Sequence, residues 1–217
     1  MTDNHAHQAR KAFRPRDVAR GASWLAMAQA LLFVLKFGTI PVLTRLLEPS
    51  DFGIVAACLA VIMLLAIIGG RGGLSSAVVV FDHDNVAAWR SVYSVTIIIA
   101  LAATVAAWLA APAIAGLVGI AEATPYLRVM ALLTPFILSA ELLSIRLIAT
   151  GRYRADSQTI MAAEILAAFV AVGGAFAGLG AWALVLQQVT SQAVRLTAGS
   201  LLTRLVPAAI PDLSLIR

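Results

Sequence analysis

Charge is what this chain has least of. Asp, Glu, Lys and Arg make up 12% of its 217 residues, about half the ~25% of a soluble domain. With 61% hydrophobic residues and a mean hydropathy of +0.92, there is too little polar surface to cover a water-soluble globule. The composition reads as an integral membrane protein. Cysteine is almost missing too. The single Cys58 excludes an intramolecular disulfide and any cysteine-based metal cluster, and inside an apolar run it reads as a small packing residue. His5, His7 and His83 have no metal-ligand spacing. The glycine run around Arg71 lacks the Lys-Ser/Thr of a phosphate-binding loop and follows no strand. No nucleophile–base constellation is present, so the reading is a non-enzyme that needs no metal and no cofactor.

Long apolar runs are what the chain does have. Six are long enough to cross a bilayer, at about 20 residues each: 23–43, 52–69, 91–111 (stopped near Pro112), 126–150, 157–177 and 179–202. They lack the alternation of barrel strands, and open sheets cannot span lipid, so the fold class is an all-α integral membrane bundle. Short loops predict antiparallel neighbours. The longer gap holds Gly70, Arg71, Gly72, Gly73, Asp82, His83, Asp84 and Asn85. Its apolar stretch 74–81 is too short to span, and either extends the second helix or lies along the interface. Three segments follow: a basic cytosolic tail (1–20), partly disordered or surface-lying, a six-helix transmembrane lobe (21–205), and a linker (206–217) with Pro207 and Pro211 that leads towards an absent second unit. The tail carries Arg10, Lys11, Arg14, Arg16 and Arg20 and is not a signal peptide.

The net charge of +5 comes from cations at the ends of apolar runs. That is orientation signalling, and it argues against a nucleic-acid partner. Arg71, Arg90, Arg152, Arg154, Arg204 and Arg217 fall on the side of the tail, against Arg45 and Arg128 opposite. Both termini are therefore expected in the cytoplasm, in the cytoplasmic (inner) membrane.

The first two runs meet at a tight outer corner with Arg45, Pro49, Asp51, Phe52 and Gly53. Proline suits a first helical turn, and Ser or Asp oxygens accept orphan amide protons there. Polar residues also sit inside the runs. Lys36 shares one helix side with Gln29 and Thr39. A cation at mid-membrane costs about 2.5–3.5 kcal/mol, so it is either a cavity cation for an anionic substrate or a lysine that snorkels or pairs. Glu141 and Glu164 are each an ion-coupling site, a counter-charge for Lys36, or a neutral acid bonded between helices. Glu141 is the deeper, and is favoured as the functional one. Gln188, Gln192 and Arg195 form a stripe that lines a cleft or bonds a neighbouring helix. The charge of Arg195 favours the cleft. Gly174 and Gly178 form a GxxxG pair, which signals close packing.

The corner Leu43-Thr44-Arg45-Leu46-Leu47-x-Pro49-x-Asp51-Phe52-Gly53, then Gly73-Leu74-x-Ser76-Ala77, resembles the start of Wzx-type polysaccharide flippases of the multidrug/oligosaccharidyl-lipid/polysaccharide superfamily. Gly180-Ala181-Trp182-Ala183-Leu184-Val185-x-Gln187-Gln188 is similar to their sixth helix. Glu48 departs from the Ser or Thr more usual before the proline, a negative charge that the helix start tolerates. The resemblance implies the N-terminal lobe of a MATE-like two-lobe transporter that exports lipid-linked oligosaccharide or polysaccharide precursors. Its implied partners are membrane lipid, a polyprenyl-pyrophosphate-linked glycan, and a second six-helix lobe or a homodimer partner. Lys36 and Arg195 are the candidate cations for the substrate head, by charge and position. The alternatives are a drug or cation exporter lobe and a non-transporting membrane component of a polysaccharide-assembly complex.

Overall fold

The computed structural model describes residues 15–68 and 86–205, and every regular element among them is helical. The helices are α1 (Pro15–Leu46), α2 (Pro49–Ile68), α3 (Val86–Val118), α4 (Thr124–Ala131), α5 (Thr134–Ala149), α6 (Tyr153–Phe176) and α7 (Ala181–Thr203), with a 3-10 turn, Ala121–Ala123, before α4. Five stretches are long and apolar enough to cross a membrane: Gln29–Leu46, Pro49–Ile67, Val86–Leu117, Thr124–Ala149 and Tyr153–Phe176. α7 has 23 residues, about 34 Å at 1.5 Å per residue, so it has the length. Its glutamines and Arg195 make it more polar than those five. The chain is a multi-pass membrane protein. The hinge 69–85, including the stretch 74–81, lies outside the described residues, as do the tail 1–14 and the linker 206–217.

α1 is described from Pro15 on; a proline in a first helical turn gives up an N–H that has no intrahelical partner. The helix boundaries correct two expectations. α3 does not stop near Pro112 but runs on to Val118. Leaving the helix would unpair several backbone groups in hydrocarbon, whereas an interior proline loses one bond. The fourth run is not continuous. It breaks at Leu132 and Leu133 into α4 and α5. Pro135 has no N–H to offer Ala131, four residues back, and the Thr104 hydroxyl of α3 reaches that carbonyl instead, at 3.2 Å.

Glycines in the left-handed region follow α3, α5 and α6. Beyond α6, Gly178 takes φ 75°, the left-handed conformation that glycine adopts without a Cβ penalty. The Gly178 N–H then bonds the Ala175 carbonyl at 3.0 Å and the Leu179 N–H bonds the Gly174 carbonyl at 3.1 Å, a Schellman closure. Gly178 is thus a turn residue, and the expected GxxxG pair divides its labour. Only Gly174 packs: a Cβ there would sit 3.2 Å from the Ala183 Cβ.

α4 and α5 occupy the centre. Of the stretch Thr124–Ala149, 56% is buried within the protein, against 11% for Gln29–Leu46, so α1 is peripheral. One core cluster gathers Val55, Cys58, Ile62, Met130, Ile137 and Val185. Cys58 is the packing residue expected. A second surrounds Trp89, Val92, Leu142, Leu143 and Leu205. Although α1 and α2 leave the same tight corner, they do not lie side by side. α1 rests on α6, while α2 packs on α4, α7 and α5. The result is a wedge between α1 and α2, floored by α6 and α7.

Candidate functional site

The corner that opens the wedge is held by its own side chains. Pro49 takes the first position of α2, and the Asp51 carboxylate accepts the Glu48 N–H at 3.2 Å. This is a capping-box arrangement that satisfies an orphan amide. Ser50 Oγ donates to Glu48 Oε2 at 3.2 Å. Asp51 also leans on the α6–α7 corner, where a Cβ on Gly180 would meet its Oδ1 at 3.4 Å. The two corners are therefore together at one end of the bundle. Arg45 and Gly53 are exposed, and Phe52 is half-buried beneath them.

Below the corner, the wedge contains a cavity of about 110 Å³. α1 brings Lys36 and Thr39, α2 brings Phe52, α6 brings Glu164 and α7 brings Gln187. The remaining walls are apolar, with Leu43 and Leu184 among them. Lys36 and Glu164 were two separate candidates in the sequence, and the fold puts them in one chamber. Glu164 Oε1 accepts the Ser191 hydroxyl at 2.9 Å, which leaves its second oxygen able to accept a further donor. The Thr39 hydroxyl proton goes to the Leu35 carbonyl at 2.7 Å, so Thr39 meets the cavity as an acceptor. Gln29 sits exposed on α1 two turns away and lines no part of this chamber.

A second polar cluster lies between α5, α6 and α7. Asp156, 2% exposed in the first turns of α6, accepts the Ser144 hydroxyl at 2.6 Å. Arg195 and Thr159 share a small cavity of about 10 Å³ with them. The charge of Arg195 acts on Asp156. α7 approaches α5 closely here because Gly199 has no side chain: a Cβ would sit 3.2 Å from the Leu143 Cβ. Asp156 and Glu164 are eight residues apart on α6, about 12 Å, so the two clusters form successive stations along an α6–α7 seam.

The stripe on α7 is thus divided. Arg195 belongs to the Asp156 cluster and does not line the Lys36 cavity. Gln192 is buried with Oε1 unpartnered, and Gln188 is half-buried outside both chambers. Glu141 is half-buried on α5 and lines neither cavity. Asp156 escaped the sequence reading because it stands between Arg154 and Ser157 at the start of a run, where an acid looks like loop. Gln187 escaped as a mere motif residue. Arg146, whose guanidinium lies 5.5 Å from the centre of the Trp89 ring, was also missed. The signal available was an arginine inside an apolar run, with a tryptophan at the start of another.

At the opposite end from the two corners, Arg152 Nη1 donates to the Leu202 carbonyl of the last turn of α7 at 2.7 Å. A cation there complements the helix dipole. Arg154 stacks 4.8 Å over Trp24 and ties α6 to the start of α1.

The polysaccharide biosynthesis protein family matches residues 42–215. The chain is 36% identical over 192 residues to the succinoglycan biosynthesis transport protein ExoT of Rhizobium meliloti (strain 1021), an alignment covering 88% of this chain and 39% of that relative. The chain therefore spans about two fifths of that relative's length. No solved structure matches it. From the end of α1 through α7, this chain belongs to the polysaccharide biosynthesis protein family.

Proposed function

We propose that this chain forms the N-terminal six-helix lobe of an exporter that flips lipid-linked oligosaccharide or polysaccharide precursors across the cytoplasmic membrane, with both termini in the cytosol. The observation that carries the reading is Lys36 and Glu164 together in the wedge between α1 and α2. A cation placed mid-membrane needs a partner, and here it faces an open chamber. The pyrophosphate of a polyprenyl-linked glycan is an anion of the right chemistry, and a polysaccharide transport relative supports that class.

Size supports a two-part architecture. A chamber of about 110 Å³ has room for several waters, each needing roughly 10–15 Å³ of such space, and is small beside a lipid-linked oligosaccharide. The lobe therefore supplies one wall. A second six-helix lobe, or a second copy, supplies the other, and rocking between them gives alternating access. Glu164 beside Lys36 is the ion-coupling or counter-charge residue. Moving one charge through 100 mV supplies about 2.3 kcal/mol, enough to bias such a carrier.

In a producing strain, Lys36→Ala in the full transporter is expected to lower polysaccharide export at least tenfold with normal membrane abundance. Liposomes carrying the purified transporter and a labelled polyprenyl-pyrophosphate sugar should show the same loss. Export unchanged by Lys36→Ala would defeat the proposal. The carboxylate in the chamber favours one rival, a drug or cation exporter. In that case Glu164→Gln abolishes transport while Lys36→Ala leaves it intact.

A further inference from the structure

A separate feature stands on the other side of α1. Arg45 is nine residues beyond Lys36, which at 3.6 residues per turn places it half a turn round the helix. There it lines a groove of about 310 Å³ with Pro41, Val42, Leu46 and Phe176. The last turn of α1 and the last turn of α6 form its walls. Apart from the guanidinium, the lining side chains are all hydrocarbon. Phe176 is 72% exposed, and Val42 and Leu46 are also open, so the groove is continuous with the lipid-facing surface of a membrane protein.

Among the described residues no hydrogen bond or ion pair ties down the Arg45 guanidinium, which is exposed at the end of α1. The acids of the corner make local bonds of their own: Glu48 Oε2 accepts the Ser50 hydroxyl, and Asp51 accepts the Glu48 N–H. A helix-end cation above an apolar slot matches a phosphate carried on hydrocarbon chains. The surrounding bilayer offers that chemistry at high concentration.

We propose that the Arg45 groove is a binding site for an anionic membrane phospholipid, with the headgroup phosphate on the guanidinium and an acyl chain along Val42 and Phe176. The site is independent of the Lys36 chamber and of what the protein exports. One basic residue near a membrane surface contributes about 1 kcal/mol towards an anionic lipid, so the selectivity lost with Arg45 is about fivefold.

The test uses the purified full chain in nanodiscs of phosphatidylcholine doped with palmitoyl-oleoyl phosphatidylglycerol, with retained lipid counted by native mass spectrometry. Wild type and Arg45→Lys are expected to retain phosphatidylglycerol over phosphatidylcholine. Arg45→Gln should lose about fivefold of that preference, and Val42→Trp, which fills the groove, should lose it while keeping the charge. Lys36→Gln should retain it. Undecaprenyl phosphate at equal amount is the competing arm. Equal preference in wild type and Arg45→Gln overturns the proposal, as does a Val42→Trp chain that still selects. Displacement of phosphatidylglycerol by undecaprenyl phosphate at equal amount also overturns it, because the groove would then belong to the substrate path.

Discussion

Asp156 shows how much one side chain's surroundings decide. A carboxylate that is 2% exposed within a membrane bundle must be bonded or neutralised, and it has Ser144 at 2.6 Å and Arg195 across a cavity of about 10 Å³. Asp156 is buried and Arg195 half-buried beside it, so removing one of the two leaves the other less compensated, at a cost of about 1–3 kcal/mol, whereas replacing both with neutral groups of similar size is often nearly neutral. Asp156→Asn and Arg195→Gln are each expected to be destabilising in detergent. The double variant should recover most of the loss, as read in a thermal-unfolding cycle. Additive losses would mean that the two residues act apart. The same cycle bears on transport. If Arg195 serves Asp156, the double variant keeps export that Lys36→Ala loses.

At the level of the element, the break between α4 and α5 depends on a bond borrowed from α3. The Thr104 hydroxyl shares its proton between its own helix, at Ala100, and the Ala131 carbonyl that Pro135 cannot serve. Thr104→Val keeps the shape and removes the donor, leaving a buried carbonyl unpaired. A loss of about 1–3 kcal/mol is expected. Pro135→Ala should lessen that penalty by restoring an N–H. If Thr104→Val unfolds at the wild-type temperature, the hydroxyl is not what supports the break. Gly178→Ala tests the α6 stop in the same assay. The left-handed position then carries a Cβ at about 1–2 kcal/mol, with little steric addition, since a Cβ there has nothing within 4 Å.

At the scale of the molecule, the arrangement of ends can be checked directly. The corner with Glu48 and the corner at Gly180 lie together, and Arg152 and Leu202 meet at the other end. In a Cys58→Ser background, Glu48→Cys should react with an impermeant maleimide added to spheroplasts. Arg152→Cys should react only after the membrane is opened. The reverse pattern would place the termini outside. The wedge itself follows from helix pairing: α1 rests on α6, not on its sequence neighbour α2. That pairing creates the chamber and leaves most of α1 uncovered.

Hydrophobic run length determined, from sequence alone, that the chain is a helical membrane protein and where the tight corner falls, but not the end of α3 or the break between α4 and α5. These are local properties, governed by the absence of water in the bilayer core and by the chemistry of Pro49 and Asp51. Lys36, Glu164, Arg195 and the α7 glutamines were legible as unusual for the same reason: polar groups stand out in hydrocarbon. Which of them meet was not legible. The placing of Lys36 and Glu164 on one chamber, and of Arg195 and the overlooked Asp156 on another, brings together helices far apart in the chain. Helical periodicity says which side a residue faces, not which helix is there. Only tertiary packing decided that, through the close approaches at Gly174 and Gly199 and the splaying of α1 from α2. The same packing put Arg45 on a groove of its own, away from the chamber.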